Sequence, residues 1–212
     1  MGIANSLAVY MGVAVAHLLV IGVALWTVGA WTGQQTDSNS KSYPAGLAAG
    51  LLIVGAAIVW MGATTWPGQR LERVATQLTA YLWANGSFLL GAVTVLAGLT
   101  ILTVALRESG DRLFGELGLV SFLFGSVFWI ISLAFRLTVT VSAAQEMART
   151  GTPPAFFEMW LRWAGLLFGI YIVLAYLGIA AYGGALLKTG LLARGFCWTR
   201  VVVGLAAAAK NA

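Results

Sequence analysis

Residues 117–135 read LGLVSFLFGSVFWIISLAF, a run without one charged side chain, and Arg136 follows it directly. At about 1.5 Å of rise per residue a helix of this length covers about 28 Å, close to the roughly 30 Å hydrocarbon thickness of a bilayer. The composition around it agrees. Only 9% of the chain is charged and 60% is hydrophobic, with a mean hydropathy of +0.89, whereas a soluble domain carries about a quarter charged residues. The bilayer is the solvent for which this chain is built.

Working outward from that run, the spacing predicts a helix over residues 113–147. This is longer than the membrane is thick, so the turns with Gln145, Glu146 and Arg149 are expected in the interface or beyond. Gly151 and the Pro153-Pro154 pair end it, since proline has no amide hydrogen and restrains the residue before it. A further helix is expected over residues 155–187, with Glu158, Trp160, Arg162 and Trp163 as interfacial residues at its start. In the other direction, a charged hairpin with Arg107, Glu108, Asp111 and Arg112 separates the run from a helix over residues 78–106. Before that come a loop with Arg70, Glu72 and Arg73, the Trp66-Pro67-Gly68 break, and a helix that starts after Pro44. The first span is expected over residues 6–31, too long and with too little basic charge at its start for a signal-peptide core. A polar stretch, residues 32–42, closes it and is expected to be the longest ordered segment outside the membrane.

Residues 191–212 contain an apolar run, 201–209, too short to cross, with Arg200 just before it. They are read as an interfacial helix or a truncated sixth span. The expected fold is therefore all-α, an integral membrane bundle of five transmembrane helices plus a short sixth or interfacial C-terminal segment. Residues 1–212 form one transmembrane helical domain, because no linker or internal repeat divides them.

The net charge of +5, from 12 Lys and Arg against 7 Asp and Glu, is spread between apolar runs. A nucleic-acid surface needs a clustered basic face, so no nucleic-acid partner is expected; the charges suit phospholipid headgroups. Cys197 is the single cysteine and His17 the single histidine. Metal and haem enzymes need two or more converging nitrogen or sulfur ligands, so no metal site and no catalytic set is predicted. Lys41, Lys188 and Lys210 lie near predicted helix ends, which excludes a retinal Schiff base within a span. Proton- or ion-coupled carriers place carboxylates at mid-membrane, whereas the seven acidic residues fall in loops or near helix ends.

Three groups of residues remain as candidates. His17 lies midway through the first span among Val15, Ala16, Leu18 and Leu19. It must find a partner there, either as a neutral imidazole bonded to a neighbouring helix or as a single axial ligand to a tetrapyrrole such as a chlorophyll magnesium. Trp129 is deeper than the other tryptophans, which cluster near span ends as aromatic belts do, so it either packs in the core or touches a ligand. Arg136, Arg149 and Arg162 fall where two consecutive antiparallel helices meet. They suggest an ion-pair set with Glu146 and Glu158, or an anion or lipid-headgroup site. Small residues four apart in Gly46-Leu-Ala-Ala-Gly50 and Gly165-Leu-Leu-Phe-Gly169 are expected to let helices approach closely.

The stretch GLLARGFCWTRVVVG, residues 190–204, resembles the start of a final helix in uncharacterised bacterial multi-pass membrane proteins, where a short basic turn with a tryptophan precedes a Gly-containing apolar span. The resemblance covers about a tenth of the chain, implies a bacterial cell membrane and brings no activity with it. The expected function is a non-catalytic membrane subunit or scaffold of a larger complex, packed against lipids and other subunits and holding lipid, quinone or pigment. The alternative is a small-molecule binding or transport component like the substrate-binding subunit of a vitamin importer, whose partner-docking face Ala4, Ala8 and Gly12 resemble. A lipid-active enzyme is the third reading.

Overall fold

The computed structural model describes residues 42–211. The first predicted span with His17, the residues Ala4, Ala8 and Gly12, and nearly all of the 32–42 stretch lie outside the described residues. Seven helices follow: α1 Ser42–Thr65, α2 Leu71–Thr76, α3 Leu78–Glu108, α4 Phe114–Phe135, α5 Val141–Thr150, α6 Phe156–Thr189 and α7 Arg194–Asn211. A π-helical turn, Arg136–Thr140, joins α4 to α5 without a break. Four stretches are long and apolar enough to cross a membrane: Ala45–Thr65, Leu78–Glu108, Phe114–Thr150 and Phe156–Thr189. The protein is a membrane-embedded helical bundle, with large apolar side chains such as Leu90, Phe124, Val127 and Leu166 facing outward.

Local chemistry sets the ends. Pro44 occupies the first turn of α1, where its missing amide hydrogen is unneeded, and α1 stops just before Trp66-Pro67. Gly151 after α5 and Gly190 after α6 have φ of 77° and 66°, the left-handed C-terminal geometry that glycine adopts without a Cβ penalty. The loop predicted at residues 70–73 instead carries the short helix α2, whose Leu71 and Val74 pack with Tyr81, Ala143 and Ala144. Asp111, read from the sequence as a loop charge, is buried. It accepts the Gly115 amide at 2.8 Å, in the first turn of α4, and lies 3.4 Å from Lys188 Nζ.

Two tight antiparallel pairs make up the bundle. In the first, Gly55 of α1 meets Gly91 and Val95 of α3, Gly62 meets Ala84 and Phe88, and Gly98 meets Ala48 and Leu52. In the second, Gly118 of α4 meets Gly178 and Tyr182 of α6, and Gly125 meets Tyr171 and Leu174. Small residues thus recur every seventh position along each contact, the repeat of left-handed helix packing. The α3–α4 hairpin joins the pairs, and Thr103 Oγ1 bonds Tyr182 Oη across them at 2.7 Å.

The C-terminal segment does not lie flat on the surface. It folds back antiparallel along α6, with Val201 against Gly183, and Gly204 against Tyr176 and Ala180. At 18 residues it is about 27 Å long, but it falls short of the four spans in apolar length. Of the small-residue motifs read from the sequence, Gly46 and Gly50 are buried. A Cβ at Gly165 or Gly169 would meet nothing among the described residues, so that motif plays no part in the described packing.

Gly91 gives a direct test. A Cβ there would lie 2.6 Å from Val59 Cγ2 and 3.0 Å from backbone atoms of Gly55 and Val59, so Gly91→Ala must push α1 and α3 apart. It is expected to cost about 1–3 kcal/mol, whereas Gly165→Ala is expected to be neutral or slightly stabilising through helix propensity. Thermal unfolding of both variants in detergent checks the contrast.

Candidate functional site

Between the two helix pairs lies a cleft of about 480 Å³, to which each of the four membrane-spanning stretches contributes one face. From α1 and its exit come Val59, Ala63, Trp66 and Gln69; from α3, Phe88, Ala92 and Val95. The α4 side supplies Phe122, Trp129 and Arg136, and α6 supplies Phe168, Tyr171 and Ile172. Steps of three, four and seven residues keep each set on one face of its helix. The antiparallel pairing then orders the cleft: Val95, Phe122 and Ile172 at one end, the rings at the middle, and Trp66, Gln69 and Arg136 at the other.

Arg136 is the chemical centre. It opens the π-helical turn, a geometry that often marks functional positions in helices, and is only 7% exposed. Its Cζ lies over three aromatic rings, 5.0 Å from the centroid of Trp129, 5.3 Å from Trp66 and 5.9 Å from Phe168. Each such contact is worth about 0.5–2 kcal/mol, but rings stabilise a cation without neutralising it. No carboxylate among the described residues pairs with Arg136, and its Nε has no hydrogen-bond partner among them. The rings hold one another in place: Trp129 stacks on Tyr171 at 5.2 Å with an interplanar angle of 16°, and Trp66 packs on Tyr81 at 5.3 Å.

The depth of Arg136 follows from its neighbours. Phe135 packs on Trp160 and Trp163 of α6, at 4.8 and 5.2 Å, so Arg136 stands level with Arg162. That residue and Glu158 form an exposed ion pair at 2.7 Å on the outer surface. On the same helix, Glu116, which pairs with Arg107, lies about 30 Å away along the axis, one hydrocarbon thickness. Arg136 is therefore at headgroup level but inside the protein, and the cleft runs from it toward mid-membrane.

Two of the residues singled out in the sequence, Trp129 and Arg136, are thus brought together. Arg149 and Arg162 are not in the cleft; each is exposed and paired on its own helix, with Glu146 at 3.3 Å and Glu158 at 2.7 Å. The three arginines do not form one group because Arg136 shares the inward face of α4 with Trp129 and Phe122, seven and fourteen residues before it, while Arg149 and Arg162 are exposed. Trp160, read as interfacial, is buried and donates from Nε1 to Thr140 Oγ1 of that turn at 3.2 Å. Sequence reasoning missed Trp66, Phe88, Phe168 and Tyr171 as cleft residues. The seven-residue spacing of Phe122, Trp129 and Arg136 was the available signal for the α4 face.

Because no described carboxylate depends on it, Arg136→Met is expected to change unfolding stability by no more than about 1 kcal/mol. The lost cation–π contacts offset the relief of a buried charge. A loss of about 3 kcal/mol or more in detergent unfolding would mean that Arg136 is one half of a structural ion pair.

No protein-family model, no curated protein and no solved structure matches this chain, so the chemistry of the Arg136 cleft is what the functional reading rests on.

Proposed function

We propose that this protein is a non-catalytic membrane subunit or scaffold, resident in a bacterial cytoplasmic membrane, that holds one membrane-derived amphiphile in the Arg136 cleft. The observation that carries the reading is Arg136 itself, buried at headgroup level, faced by three rings and paired with no carboxylate among the described residues. A cation withdrawn from water without a counter-charge is costly. A ligand that brings an anion to it recovers that cost, while its apolar part replaces lipid along Trp129, Tyr171 and Phe122. The face at Gly165 and Gly169, open among the described residues, supports the subunit part, since small residues four apart suit close approach by a neighbouring helix.

Native mass spectrometry from mild detergent tests the ligand. The wild type is expected to retain an amphiphile that Arg136→Met loses and that Arg149→Met and Arg162→Met keep. An adduct equally abundant in Arg136→Met overturns the cleft as its site. Purification under the same conditions is expected to bring a second membrane subunit with the chain, and a chain that crosslinks to no other protein in its native membrane overturns the subunit role.

A further inference from the structure

The dimensions and charge of the cleft narrow its occupant. Arg136 is the single charged side chain among its lining residues, with Gln69 as the polar neighbour at the same end. One guanidinium balances one negative charge, and its planar fork matches the two oxygens of a carboxylate. A phosphate monoester, at about −1.5 to −2, would leave surplus charge in a cleft otherwise lined by rings and aliphatic groups. A neutral headgroup would leave the guanidinium uncompensated.

The apolar part is equally constrained. From Arg136 to Phe122 is about 21 Å along α4. Along that length the cleft of about 480 Å³ is lined by rings and aliphatic side chains, a surface that takes one extended hydrocarbon chain.

Resting on the ligand-binding reading above, we propose that the cleft binds a single-chain amphiphile with one carboxylate, a long-chain fatty acid, its head at Arg136 and its tail running past Trp129 toward Phe122 and Ile172. Neutral isoprenoids are the occupants it disfavours, and a two-chain anionic phospholipid is the competitor from which the experiment separates it.

The probe is a long-chain fatty acid brominated at mid-chain, titrated into the full-length protein in detergent while tryptophan fluorescence is followed. Saturable quenching is expected, diminished in Trp129→Phe. Binding should weaken by about tenfold or more in Arg136→Met, and likewise for the methyl ester of the same acid. Ile172→Trp, which fills the far end, should weaken that acid about fivefold or more while sparing one about six carbons shorter. Val95→Leu, a milder filling of the same end, should act in the same direction should Ile172→Trp fail to fold.

Equal binding of acid and ester, a preference for a brominated two-chain phosphatidylglycerol, or no chain-length effect in a folded far-end variant would overturn the fatty-acid assignment. If such an alternative amphiphile still depends on Arg136, the broader ligand-binding reading survives. Quenching by every probe that is indifferent to Arg136→Met would remove both.

Discussion

Backbone contact through glycine is the constraint on which the rest of this structure depends. Lipid provides no hydrophobic drive for one helix to join its neighbours, so association rests on packing at close range. Gly55 and Gly91 bring α1 against α3, and Gly118 and Gly178 bring α4 against α6, closely enough that an added Cβ meets backbone atoms near 3 Å. Each pair is closely packed along this glycine seam. The larger aromatic side chains lie on the faces between the pairs, and that is where the cleft forms.

Arg136, where α4 meets the π-helical turn, gives the cleft its polarity. A regular helix through residues 136–140 would carry the α4 register unchanged into α5. The wider turn shifts that register after Arg136, whose amide still bonds the Ser132 carbonyl as in a regular helix, and Thr140 within the turn receives the Trp160 indole hydrogen. The same region binds α5 to the short helix α2 through Leu71, Val74 and Ala143. The segment after Trp66 is thereby held over the charged end of the cleft. A guanidinium fixed by rings on several helices is pre-oriented, and pre-orientation lowers the entropic cost of binding.

The opposite membrane face is organised around structural polar contacts. Asp111 caps the start of α4 and approaches Lys188, Thr103 bonds Tyr182, and Tyr182 Oη donates to the Leu99 carbonyl at 3.1 Å. These groups satisfy one another, which distinguishes them from Arg136. The Tyr81, Ser126 and Ser132 hydroxyls and the Asn85 Oδ1 are also buried without a partner, but Arg136 is the buried cation with no carboxylate beside it among the described residues.

By itself the sequence determined the solvent and the elements. Long uncharged runs such as residues 117–135 can satisfy their backbone in lipid only as helices, and Pro67, Gly151 and Gly190 mark where those helices stop. Trp129 and Arg136 also stood out, one for its depth and the other for its cost among apolar neighbours. Their seven-residue spacing puts them on one face of α4, but that this face turns inward toward Trp66 and Phe168 was decided only by tertiary structure, because it depends on the rotation of four helices about their axes. Which glycines make contact was decided there too: Gly165-Leu-Leu-Phe-Gly169 has the more familiar spacing, yet Gly55, Gly91, Gly118 and Gly178 carry the described packing. A near-uniform apolar helix has no polar face to mark which side turns inward, and in lipid that choice is made by the shape of the neighbouring helix.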